Sequence, residues 1–123
     1  MAVGKWNLKS VGSDEDQNGA WDPAEHKDYA TTSGGGSTLT LNSDGSGSNH
    51  ATFLSNGQIV THDLAFNWSL INSNKQIRLV ANGQADTQFV DLLTKQEMTW
   101  RTDSGSLYNG QRVKDWSYYQ KIQ

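Results

Sequence analysis

The strongest structural signal in this 123-residue chain is an alternating stretch near its middle, Leu64-Ala65-Phe66-Asn67-Trp68-Ser69-Leu70. Every second side chain is large and apolar, and the residues between them are small or polar. Successive side chains of a β-strand point to opposite faces of the sheet, so this spacing places the four large residues on one face. The stretch therefore predicts a strand with one buried face and one polar face.

Shorter stretches with the same period lie on both sides of this strand. Turn signals such as Asn56-Gly57 and Asn82-Gly83 separate them. The predicted strands lie near residues 6–11, 37–42, 47–54, 64–70, 77–79, 89–93, 98–100 and 112–122. Strands joined in sequence order by short turns form a meander, and about eight of them can hide their edges by closing into a barrel. We therefore predict one all-β domain over residues 1–123, an antiparallel up-and-down barrel.

The composition narrows the possible functions. The net charge is −3 and no basic cluster is present, which argues against a nucleic-acid surface. No apolar run is long enough to span a bilayer, and the absence of Cys removes disulfides and zinc–thiolate sites. Five Trp, four Tyr and three Phe concentrate apolar area in few side chains, so we expect a folded domain. We expect it to be a monomer.

An acidic segment follows the first predicted strand, Asp14-Glu15-Asp16-Gln17-Asn18-Gly19-Ala20-Trp21-Asp22-Pro23-Ala24-Glu25. It resembles the calcium loop of EF-hand proteins, with oxygen-bearing side chains at loop positions one, three and five, Gly at six and Glu at twelve. The resemblance implies a calcium site whose ligands are Asp14, Asp16, Asn18, the Ala20 carbonyl, Asp22 and Glu25. The residues before the loop are predicted to form a strand, so the site would be of a strand–loop–helix kind.

The same residues have a simpler interpretation. Asp22 is a suitable N-cap, Pro23 suits the first helical position, and Glu25 follows three residues after the cap. A short helix near residues 23–30, preceded by a solvated acidic loop from residue 12, explains the pattern without a metal. The two interpretations are compatible, because a calcium loop also leads into a helix.

The whole chain is similar in organisation to small bacterial lipocalin-like domains. The similarity lies in Gly4-Lys5-Trp6, which resembles the Gly-x-Trp signature of that superfamily, and in the stretches STLTLNSDGSG, FNWSLINSNKQIRLV and YYQKI. It implies a non-enzymatic binding barrel, often on exported or lipid-anchored proteins, with small apolar molecules as ligands. It also implies that Trp6 closes one barrel end beneath Lys121 or Arg112. The acidic loop would lie at a barrel mouth, and any leader for export is not present in this chain.

Six large side chains are the candidate ligand contacts: Phe53, Phe66, Trp68, Met98, Trp100 and Trp116. All are expected to face the interior, which an eight-stranded barrel can either fill with side chains or leave open for one small ligand. Two hypotheses follow, a small-molecule carrier and a filled structural or interaction barrel stabilised by calcium. Catalysis finds little support, because no nucleophile motif surrounds any Ser, and His62 and Asp63 point to opposite faces of one strand.

Overall fold

The computed structural model describes residues 2–13, 27–29, 35–102, 107–108 and 111–122. This part of the chain contains eleven β-strands. They are β1 Gly4–Ser13, β2 Lys27–Asp28, β3 Gly36–Leu41, β4 Ser46–Ser55, β5 Gln58–Ile71, β6 Gln76–Ala81, β7 Gln84–Leu93, β8 Glu97–Thr102, β9 Leu107–Tyr108, β10 Gln111–Arg112 and β11 Asp115–Lys121.

Eight of these strands form a closed antiparallel barrel. The hydrogen-bonded order is β1, β3, β4, β5, β6, β7, β8 and β11, and β11 pairs with β1 to complete the circle. Closure leaves no long unpaired edge between the first and last strands. The predicted meander and its closure into a barrel are therefore confirmed.

Two of the tight turns have the backbone conformation that their sequences predict. Asn56 and Gly57 have φ angles of 52° and 78°, and Asn82 and Gly83 have 53° and 77°. Positive φ at both central residues is the requirement of the two-residue hairpin turns that match the twist of the flanking strands. These turns set the register of β4 with β5 and of β6 with β7.

Lys27 and Asp28, within the helix predicted near residues 23–30, form a strand instead. Lys27 and Asp28 form β2, which pairs with Val11 and Ser10 of β1. The reason is that β3 pairs only with the first half of β1, Gly4 to Asn7. The backbone N–H and C=O groups of the second half can therefore pair with another strand on that side. Residues 23–26 lie outside the described residues.

One end of the barrel is closed by tightly packed side chains. Trp6, Leu41, Ile77 and Met98 are all essentially inaccessible to solvent. The indole Nε1 of Trp6 donates a hydrogen bond of 2.8 Å to the Ala2 carbonyl. This end is a filled core of the kind that a small barrel needs for stability.

A basic side chain of the last strand covers the Trp6 ring from outside. The Lys121 Nζ lies 4.7 Å from the ring centroid and donates a 2.6 Å hydrogen bond to the Val3 carbonyl. Gly4 makes room for it, since a Cβ there would lie 2.5 Å from Lys121 Cε, and its φ of +139° is unfavourable for other residues. The Arg112 side chain lies outside the described residues.

Among the described residues, no helix is both long and apolar enough to cross a membrane.

Candidate functional site

The opposite end of the barrel contains a cavity. Its volume is about 420 Å³, and it is open to solvent on one side. It lies at the end where β6 turns into β7, which is also where β1 stops at Ser13. Its described lining comprises Leu39, Asn49, Leu64, Phe66, Leu79, Ala81, Asn82, Gln84, Ala85, Asp86, Trp100 and Tyr119.

The strand register explains why the cavity wall is mostly apolar. Leu64 and Phe66 are two residues apart in β5, so they share its inner face. Leu79 and Ala81 do the same in β6. Because Ala81 has the smallest side chain on that face of β6, the barrel interior widens towards this end.

A glycine determines where the Phe66 ring lies. Gly47 of β4 is directly opposite Phe66, and a Cβ at Gly47 would come within 2.6 Å of the ring. The ring therefore lies against the β4 backbone instead of projecting across the barrel. This close approach is one reason that the open end is not filled.

Two aromatic side chains form the wall on the β8 and β11 side. The rings of Trp100 and Tyr119 are 5.1 Å apart between centroids, at an interplanar angle of 56°. Burial raises the pKa of the Tyr119 phenol well above its usual value, with a smaller contribution from Tyr29 and an opposing hydrogen bond with Ser117. Tyr119 is therefore neutral at physiological pH.

The indole nitrogen of Trp100 is buried and has no hydrogen-bond partner among the described residues. Trp100 is 6% exposed, and its buried Nε1 donates no hydrogen bond to any described residue. An indole N–H can only donate. A buried donor left unsatisfied is unusual in native proteins and needs an explanation.

The mouth of the cavity is polar. Thr102 Oγ1 donates to Gln88 Oε1, and Gln88 Nε2 donates a 3.1 Å hydrogen bond to Asp86 Oδ2. Asp86 is exposed and is the only residue of the described lining with a formal charge. The site therefore combines an apolar interior with a negatively charged rim.

The six predicted ligand contacts do not all meet in this cavity. Phe66 and Trp100 line it, whereas Met98 is sealed in the closed end. Trp68 packs against the core and donates from Nε1 to the carbonyls of Asn42 and Ser46, at 3.0 Å each. Phe53 is half-buried in β4 and is not among the described lining residues.

The expectation that Trp116 faces the interior is wrong. Ser117 of β11 lies opposite Trp100, so the neighbouring Trp116 lies on the outer face. There its Nε1 donates a 3.3 Å hydrogen bond to Asp91, which also accepts from Arg101. Aromatic residues occupy both faces of β11, so alternation could not decide which of them point inward.

The predicted calcium ligands lie outside the described residues: Asp14, Asp16, Asn18, Ala20, Asp22 and Glu25. The described flanks of that segment are held together, because Val11 pairs with Lys27. Ser13 Oγ also donates a 2.6 Å hydrogen bond to Asp115. In the part of the chain that is described, no three His, Asp or Glu side chains group as metal ligands.

One polar pair was missed at the sequence level. His50 Nδ1 contacts Asp63 Oδ1 across β4 and β5, where the two residues are directly opposite. Both side chains are exposed on the outer face, away from the cavity. The register of the β4–β5 hairpin, counted back from the Asn56-Gly57 turn, would have predicted this contact.

Solved structures share this architecture. A lipocalin-like protein from Bacteroides uniformis ATCC 8492 superposes with a TM-score of 0.56 at 18% sequence identity, covering 98% of this chain and 97% of its own. The siderocalin Ex-FABP, described as acting through dual ligand specificities, gives a TM-score of 0.52 at 11% identity, covering 98% of this chain and 73% of its own. No protein-family model and no curated protein sequence matches the chain. The fold is therefore a lipocalin-like barrel.

Proposed function

We propose that this protein is a non-enzymatic carrier that binds one small, largely apolar molecule in the cavity at the open end of the barrel. The main observation in support of this proposal is the cavity itself. Its volume falls within the range of about 300–1,000 Å³ that is usual for ligand pockets. Leu39, Leu64, Phe66, Leu79 and Trp100 give it an apolar wall, and a few polar groups are concentrated at its rim.

Burial of apolar ligand surface would supply the affinity. The gain is about 25 cal/mol per Å² before the entropy of association is subtracted. The lipocalin-like fold supports this proposal, since both related structures are barrels of the same architecture. An exported location, implied by the same resemblance, belongs to the proposal as well.

A cavity-filling variant tests the proposal. The neutral fluorescent probe N-phenyl-1-naphthylamine should bind the native protein with enhanced emission, excited in part by energy transfer from Trp100. Ala81→Phe places a ring in the cavity and should abolish binding. Ala65→Phe adds the same ring on the exposed outer face of β5 and should bind normally.

Two results would refute the carrier function. One is a folded native protein that does not bind the probe. The other is equal binding by Ala81→Phe and Ala65→Phe, which would place the probe elsewhere on the molecule.

The calcium ion that the acidic segment implies remains a separate prediction. If it binds, its effect on a carrier would be to brace the chain between Ser13 and Lys27, close to where β1 ends at the open end of the barrel. A calcium titration followed by thermal melting measures this effect independently of ligand binding.

A further inference from the structure

The hairpin formed by β4 and β5 extends beyond the strand that follows it. β4 and β5 pair along the whole of β4, starting at the Asn56-Gly57 turn. β6 pairs with β5 only from Asn67 to Ile71 and then turns into β7. The same register, continued by two rows, places the β6–β7 turn beside residues 65 and 66. In the described part of the chain, residues 58–64 of β5 therefore have no strand on the β6 side.

The backbone of this free edge presents hydrogen-bonding groups at every second residue. Residues that flank a two-residue hairpin turn bond to each other, so Gln58 and every second residue after it bond to β4. The N–H and C=O groups of the residues between them point the other way. Those residues are Ile59, Thr61 and Asp63, and their backbone groups face the side where no described strand lies.

The side chains of the edge do not protect it from another strand. Natural proteins protect an edge strand with lysine, proline or a β-bulge. Residues 58–64 contain no lysine or proline, and their pairing with β4 has no bulge. Ile59, Val60 and Leu64 are large and apolar but remain 63%, 38% and 37% exposed. The edge can therefore accept a further strand and bury apolar surface as it does so.

We infer that β5 pairs with β5 of a second copy of this chain, antiparallel and about a two-fold axis at Thr61. Thr61 is the central residue of the free segment 58–64, so this register uses the whole segment in both copies. Thr61 then pairs with the partner's Thr61, and Ile59 pairs with the partner's Asp63. Every backbone group that points away from β4 is satisfied, with two hydrogen bonds in each such pair.

Charge favours the same register. Asp63 has the only formal charge in the segment at neutral pH, and it lies about 14 Å from the partner's Asp63, too far for strong repulsion in salt. Val60 lies diagonally across from the partner's Leu64, so exposed apolar side chains meet. Because the two-fold axis uses the free edge of both copies, the assembly closes as a dimer. The sequence alone favours a monomer, since this edge exists only once the strands have paired.

Sedimentation equilibrium tests the dimer. An interface of one strand pair is small, so we expect the native mass to rise from one chain towards two between about 10 and 500 μM. Thr61→Pro removes both central N–H donors but no bond to β4, and it should weaken dimerisation about tenfold or more. Thr61→Val keeps the N–H and the branched side chain, and it should dimerise within about threefold of the native protein.

A cysteine pair tests the register and does not depend on how well the proline variant folds. The chain has no Cys, and the two-fold axis places Thr61 about 5.5 Å from its copy between Cα atoms, within disulfide range. Thr61→Cys should therefore form a disulfide-linked dimer on mild oxidation. Asp63→Cys lies on the same face of the same strand but about 14 Å from its copy, so it should remain largely unlinked.

Three results would overturn the inference. They are a native protein that stays monomeric at the highest concentration, equal self-association of Thr61→Pro and Thr61→Val when both are folded, and equal cross-linking of the two cysteine variants. The dimer does not depend on the carrier function. Failure of N-phenyl-1-naphthylamine to bind would leave it standing, and a monomeric protein that binds the probe would leave the carrier function standing.

Discussion

Replacing Gly47 by Ala should destabilise the barrel and narrow its cavity. The new Cβ would lie 2.6 Å from Phe66 Cε1 and 2.7 Å from the Thr40 carbonyl oxygen. Optimal contacts between carbon atoms are about 3.5–4.0 Å, so both neighbours would have to move. The Phe66 ring can rotate, but the Thr40 oxygen belongs to the paired backbone of β3 and β4 and cannot shift independently.

Overpacking of this kind costs about 1–3 kcal/mol. For a chain of this length each kcal/mol lowers the melting temperature by about 4 °C, so Gly47→Ala should melt about 4–12 °C lower. Urea denaturation followed by Trp fluorescence measures the free energy directly. Since Phe66 lines the cavity, displacement of its ring should also weaken binding of N-phenyl-1-naphthylamine.

A second glycine provides the control. A Cβ at Gly36 would meet nothing within 4 Å, so Gly36→Ala should be neutral or stabilising by up to about 1 kcal/mol. Replacing the Phe66 ring by the shorter side chain of Leu should relieve the clash. The double variant Phe66→Leu, Gly47→Ala should therefore lose less free energy of unfolding than the sum of the losses in the two single variants. A free energy of unfolding for Gly47→Ala within about 0.5 kcal/mol of that for Gly36→Ala would refute the steric reasoning.

Three further predictions concern other parts of the molecule. Because burial raises the pKa of Tyr119, its stabilising effect is complete below pH of about 10 and is lost as pH rises towards the folded-state value. Between pH 9 and 11, the free energy of unfolding measured with urea should therefore fall less steeply with pH for Tyr119→Phe than for the native protein. Parallel pH dependences of the two proteins would contradict this. Lys121→Met keeps the stem over Trp6 but removes the charge and its hydrogen bond to the Val3 carbonyl, so we expect a loss of stability of at least about 0.5–1 kcal/mol. The exposed Lys75→Met should change little, and equal melting of the two variants would show that neither contact of the ammonium group stabilises the fold. Calcium should raise the melting temperature reversibly, and Glu25→Ala should abolish the rise; calorimetry that detects no calcium binding to the native protein would end the metal prediction.

Much of the fold could be predicted because its signals are local. Alternation in β5 and β6 shows which residues share a face, and Asn-Gly pairs specify the turns that join neighbouring strands. The eight-stranded closed barrel follows from these signals, since a meander of that size removes its open edges by closing. The helix prediction at Lys27 and Asp28 was wrong because a capping pattern is also local, and the pairing positions offered by β1 outweighed it.

The candidate site was less predictable. Phe66 and Trp100 were expected to contact a ligand and do line the cavity, but Asp86, Ala81 and Tyr119 were not singled out. Each of these three lines the cavity because strand pairing brings it next to residues that are distant in sequence. Neither the residue type nor the neighbouring sequence of any of the three indicates that it would line a cavity.

The amino-acid sequence by itself determined the strand period, the turns and the number of barrel strands, because each depends on residues only a few positions apart. The tertiary structure alone decided that Trp116 faces outward, that Gly47 accommodates the Phe66 ring, and that the open end retains a cavity. Those features depend on how side chains from strands distant in sequence share one volume, and the register that brings them together is set only when the barrel closes.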